Sequence, residues 1–110
     1  MSFQHQQLAQ GKWFKLSFLD QMANIGSEVE RSLKWRSKGN DAYYQHSFER
    51  LLELLDLTLD DLRNKHRLRE LARVREAIID FFAGDNEFKS TEESWRKYFY
   101  YFTFAARRVS

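Results

Sequence analysis

The sequence predicts an all-α fold, an antiparallel four-helix bundle, on three grounds. Its 110 residues include no proline and only four glycines, whereas sheets and turn-rich folds draw on both. Apolar residues recur at three- and four-residue steps in four successive segments, the period of a helix with one buried stripe. The junctions between these segments are short and carry helix-stop or helix-start residues, which makes consecutive helices antiparallel neighbours. The length suits one domain spanning residues 1–110, with a flexible start over 1–11.

The first helix is expected from Lys12 or Ser17 to Lys38. Phe18, Leu19, Met22, Ile25, Gly26, Val29 and Leu33 fall on one stripe. Gly26 lies inside it, and because a mid-helix glycine costs about 1 kcal/mol against alanine, its presence predicts close approach by another helix. Gly39 is a stop signal, and Asn40 or Asp41 is a cap for the second helix. Tyr44, Phe48, Leu51, Leu52 and Leu55 form the inner face of that helix, and Tyr43, Leu54 and Leu57 a second stripe. Thr58 followed by Asp61 reads as a capping box, so a short extra helix near 59–65, or a kink, is expected there. The third helix spans about Arg67 to Ala83, with Leu68, Leu71, Val74, Ile78, Phe81 and Phe82 on one face and Gly84 as its stop. Ser90 and Glu93 read as the capping box of a fourth helix ending near Arg108, with acid-first pairs Glu92–Arg96 and Glu93–Lys97.

Composition narrows the functional classes. The absence of cysteine excludes a disulfide framework and thiolate metal sites. No apolar run approaches the roughly 20 residues that cross a bilayer, and Met1 to Gln10 lacks the pattern of a signal peptide, so the expected location is cytoplasmic. A net charge of +2 is too small to imply nucleic acid. The histidines, His5, His46 and His66, have no second His or Cys at helical spacing. No metal or cofactor is therefore expected, and His46 with Glu49 is at most half a site. Phosphate loops and nucleophile elbows are absent. HEPN-type nuclease and toxin domains are similar in size and class only. Their Arg-then-His signature at four to six residues is missing, since Arg63 precedes His66 with two residues between.

Three groups of side chains stand out. Arg63, Lys65, Arg67, Arg69, Arg73 and Arg75 form a basic run, but they do not share a face, which favours a solvated, salt-bridged helix over a phosphate-binding edge. Arg36, Asn40 and Arg75 point toward apolar stripes. With Arg50 they are candidates for an anion or partner pocket, against the plainer reading of internal ion pairs with Glu28, Glu30, Glu53 or Asp56. The fourth helix carries Trp95, Tyr98, Phe99, Tyr100, Tyr101, Phe102 and Phe104. One inward face needs Trp95, Tyr98, Phe102 and Ala105, leaving rings that a bundle of this size cannot enclose.

The strings Asn24 to Val29, Trp35 to Asn40 and Arg50 to Thr58, with Tyr98-Phe99 and Ala105-Ala106-Arg107, resemble a family of small uncharacterised prokaryotic helical-bundle proteins. The resemblance runs from about Leu16 onward. It implies a cytoplasmic prokaryotic protein and carries no activity with it.

The function expected is a non-enzymatic protein–protein interaction module. It would be a homodimer joined through Trp95, Phe99, Tyr100, Tyr101 and Phe104, with another protein as a further possible partner and no membrane. An RNA- or nucleotide-associated protein of toxin–antitoxin or nucleotidyltransferase-partner type, using Arg36, Arg50, Arg69, Arg73 and Arg75, ranks second. An enzyme in which Arg36 or Arg75 meets Glu28, Glu53 or Glu76 in a solvent-entered pocket ranks third.

Overall fold

A computed structural model describes residues 11–109. The expected flexible start over 1–11 therefore lies outside the described residues, apart from Gly11. Four long helices follow one another: α1 (Phe18–Ser37), α2 (Asp41–Asp60), α3 (Leu68–Ala83) and α4 (Glu92–Val109), with a short 3-10 helix at Leu62–Arg67 between α2 and α3. Residues 11–13 form a helical turn ahead of α1. Among the described residues there is no strand, and the arrangement is consistent with a four-helix bundle. No helix among them is long and apolar enough to cross a membrane.

The helix ends follow from local chemistry. Ser17 caps α1 by accepting from the Asp20 N–H, and Asn40 caps α2 by accepting from the Tyr43 N–H. Between them Gly39 sits at φ +71, a left-handed conformation that glycine adopts without steric cost. Two expected capping boxes are displaced. Thr58 is not a cap: it is buried inside α2, where its hydroxyl donates to the Leu54 carbonyl. Asp61 is the cap instead, accepting from the Arg63 N–H at 3.0 Å, so the short helix starts at Leu62 and not at Leu59. At α4 the reciprocal pair is Thr91 and Ser94, each side-chain oxygen accepting from the other's N–H at 2.9 Å. Ser90 turns back to Asn86. The α3–α4 loop is held from α3, because the Asp80 carboxylate accepts from the N–H groups of Glu87 and Phe88.

Helix α1 is the centre of the bundle. It packs most heavily against α2 and α4, while α3 packs on α2 and the 3-10 helix. The contacts Phe18–Phe102, Gly26–Phe99 and Glu30–Arg96 run in opposite chain directions, so α1 and α4 are antiparallel. Asp56–Arg75 and Phe48–Phe82 show the same for α2 and α3. The core joins Met22, Ile25, Val29 and Leu33 of α1 to Leu51, Leu54, Leu55 and Leu57 of α2. Leu71 and Ile78 of α3 and Phe99 and Phe102 of α4 complete it. Both stripes foreseen on α2 are used, although Tyr43 is exposed. Leu68, expected inside, is exposed at the first turn of α3.

Gly26 performs the role its position predicts. A Cβ placed there would lie 2.8 Å from the Phe99 Cβ, closer than packed carbons tolerate. Replacing Gly26 by alanine improves helix propensity by about 1 kcal/mol, but overpacking costs about 1–3 kcal/mol. The Gly26→Ala variant is therefore expected to be less stable in chemical denaturation, and Gly26→Leu less stable still.

A buried polar network ties the start of the described chain to the α2–α3 corner. Gln21 donates to the Asp61 carboxylate at 2.9 Å and to the Trp13 carbonyl, and its own oxygen accepts from Asn64. Trp13 Nε1 donates to Thr58 Oγ1 at 2.9 Å, and Arg63 bridges Asp61 to the Leu16 carbonyl. Hydrogen bonding from Arg63, reinforced by Gln21 and opposed by burial, lowers the Asp61 pKa from 3.8 to about 2. A carboxyl held below its unfolded value stabilises the fold fully above that value, and the contribution is lost as pH falls through the folded one. Acid unfolding is accordingly expected to show a loss of stability between pH 3.8 and about 2 that is absent from Asp61→Ala. That substitution should itself cost about 2–3 kcal/mol at neutral pH, by leaving buried donors without an acceptor.

Candidate functional site

The outer face of α4 is the most distinctive surface of the molecule. The helix turns a narrow stripe inward, Trp95, Phe99, Phe102 and Ala106, at steps of four, three and four residues. This corrects the expected inner face. Phe99 and Ala106, not Tyr98 and Ala105, complete it, because Gly26 leaves a hollow that Phe99 fills. Trp95 and Phe99, expected at an interface, are 7% and 4% exposed and belong to the core of their own chain. Tyr98 is half-buried beside them, donating to Glu70 of α3. Burial and the adjacent carboxylate both raise its phenol pKa.

The other three expected rings do lie outside. Tyr100, Tyr101 and Phe104 are 66%, 65% and 48% exposed. Tyr100 and Phe104, one turn apart, are stacked with ring centroids 6.2 Å apart, and the Arg108 guanidinium lies 5.6 Å from the Phe104 ring. Lys97 shares this face and pairs with Glu93 at 3.3 Å. Arg96 leaves the expected Glu92 partner for Glu30 across the α1–α4 seam, clamping the two helices at their edge. Beside the exposed rings runs a groove of about 490 Å³. Gly26 and Val29 of α1 and Trp95, Phe99, Tyr100 and Thr103 of α4 line most of it. The Trp95 indole N–H is buried there without a hydrogen-bond partner.

The four residues considered for an anion or partner pocket have separate local roles. Arg36 stacks over Phe81 and Phe82 at the end of α1, 4.8 and 5.0 Å from the ring centres. Asn40 caps α2. Arg75 holds Asp56 at 2.7 Å, one of the ion pairs foreseen as the plainer reading. Arg50 pairs with Glu53 three residues on, within α2. There it joins Arg31, His46, Trp35 and Tyr43 around a shallow depression of about 320 Å³. Glu28 lines the same depression and is already paired with Arg31. Two of the three glutamates proposed to meet Arg36 or Arg75 are thus engaged elsewhere, Glu28 with Arg31 and Glu53 with Arg50, and the third, Glu76, lies beside Arg69 and Arg73.

The basic run is likewise dispersed. Arg63 is drawn to Asp61, Arg67 lies 4.1 Å from the Phe18 ring centre, and Arg75 turns to Asp56. Arg69 and Arg73 remain outward beside Glu76. Among the described residues, no three His, Asp or Glu side chains converge as a metal site.

Two features escaped the sequence. The polar network around Asp61 combines residues 13, 21, 58, 61, 63 and 64, each of which reads as ordinary surface or capping chemistry on its own. The groove beside α4 needs both the missing Cβ of Gly26 and the choice of stripe on α4. Gly26 was its one available signal. In comparison with known proteins, no family model matches the chain, and no curated protein or solved structure matches it. The resemblance to a prokaryotic family therefore stands at the level of an all-helical fold.

Proposed function

We propose that this chain is a helical protein–protein interaction module that works by binding a second copy of itself through the outer face of α4, and not by catalysis. The observation that carries this reading is the cluster of Tyr100, Tyr101 and Phe104, large rings left in solvent on a helix already anchored by its opposite face. Tyrosine and phenylalanine are enriched in the centres of protein interfaces, and contiguous exposed apolar rings mark interaction sites. A net charge of only +2 places little self-repulsion in the way. The charged side chains support the non-enzymatic part. Arg31, Arg50, Arg63, Arg75 and Arg96 each hold a carboxylate, which is how structural ion pairs behave. The same pairing takes Arg50 and Arg75 out of the set on which the nucleic-acid alternative depends, since that alternative needs cations available to phosphates. The cytoplasm is the location that suits such a module.

Light scattering of the full chain at tens of micromolar is expected to give twice the monomer mass. Tyr100→Glu and Phe104→Glu are each expected to give a monomer with unchanged helical circular dichroism. A wild-type chain that stays monomeric at that concentration overturns the reading.

A further inference from the structure

We infer that two copies join with their α4 helices antiparallel, about a two-fold axis passing between Tyr100 and Tyr101, so that Glu93 of each copy meets Arg108 of the other. This rests on the self-association proposed above and specifies its register.

Glu93, Lys97, Tyr100, Phe104 and Arg108 follow one another at steps of four, three, four and four residues and form an outward seam with Tyr101 at its flank. All five lie opposite the buried stripe Trp95, Phe99, Phe102 and Ala106. The two ends of this seam carry opposite charge, Glu93 in the first turn and Arg108 in the last, with Lys97 one turn inside Glu93. An isologous interface repeats one patch on both partners. A parallel pairing therefore sets Glu93 against Glu93, Lys97 against Lys97 and Arg108 against Arg108, and juxtaposed like charges oppose association.

Reversing one helix changes each of these contacts. Positions adding to 201 then face each other, so Glu93 faces Arg108, Lys97 faces Phe104 and Tyr100 faces Tyr101. Each copy contributes one carboxylate, which accepts from the other copy's guanidinium, and one guanidinium, which donates to the other copy's carboxylate. Lys97 comes over an aromatic ring, a favourable cation–π placement, and four tyrosines meet at the axis. Antiparallel helix dipoles favour the same order. The existing Glu93–Lys97 pair is no obstacle, because both side chains are 78% exposed and such a pair contributes little.

The absence of native cysteine makes the test direct. Single variants Glu93→Cys and Arg108→Cys, both on the exposed seam, are prepared in the full chain and treated with a short bismaleimide, separately and as an equal mixture. In the antiparallel register, position 93 lies about 22 Å from its own counterpart, from the 1.5 Å rise per residue, but close to position 108. The mixture is then expected to give a covalent dimer containing one of each variant, and each variant alone little or none. Efficient cross-linking of Glu93→Cys to itself, with no mixed product, overturns the register while leaving self-association intact. A chain that light scattering finds monomeric removes both readings, so the two failures remain distinguishable.

Discussion

The contact between Gly26 and Phe99 decides how the rest of the surface is presented. Helix α4 has rings on more than one side, and its own sequence leaves Tyr98 and Phe99 as neighbouring choices for the inner stripe. The hollow left by a missing side chain on α1 selects between them, admitting Phe99 to within contact of the α1 backbone. Once Phe99 is inside, helical geometry carries Trp95, Phe102 and Ala106 in with it. The same rotation places Tyr100, Tyr101 and Phe104 outside. A single hydrogen atom in place of a methyl group thus sets both the packing of the last helix and the face it offers to solvent.

Helix α1 bears the consequences of being central. Its buried stripe serves α2 and α4 together, and it is the element against which the buried polar groups organise. The network around Asp61 sits at one end of the bundle. There Gln21 connects Asp61, Asn64 and the Trp13 carbonyl, so the turn before α1 and the corner after α2 are held by shared hydrogen bonds in addition to apolar contact. At the other end of α1 the interactions are of a different kind, with Arg36 stacked on Phe81 and Phe82.

Much of this was legible in the residues. The stripe of α1, the Gly39 stop and the Asn40 cap are local signals, and the structure keeps all of them. The pair Arg75–Asp56 was legible for a similar reason, since an arginine in an apolar arc must find a carboxylate nearby. The failures also share a cause. Thr58 resembles a cap in sequence, but a buried threonine inside a helix satisfies its hydroxyl on the carbonyl one turn back. Tyr98 and Phe99 are adjacent, and choosing between them requires knowing what faces them across the bundle. The Asp61 network draws on residues separated by as many as 47 positions, and no periodicity connects them.

The placement of the three tryptophans has a further consequence for observing the molecule. Trp13 is enclosed at the α2 corner, Trp95 under α4 against α1, while Trp35 stays partly open to water between Lys34 and Lys38, edge-on to Tyr43. Each indole therefore reports on a different joint of the bundle. Detachment of the leading turn, release of the final helix and disturbance of the α1–α2 hairpin would each alter the emission of a different ring, giving the fold its own set of optical probes.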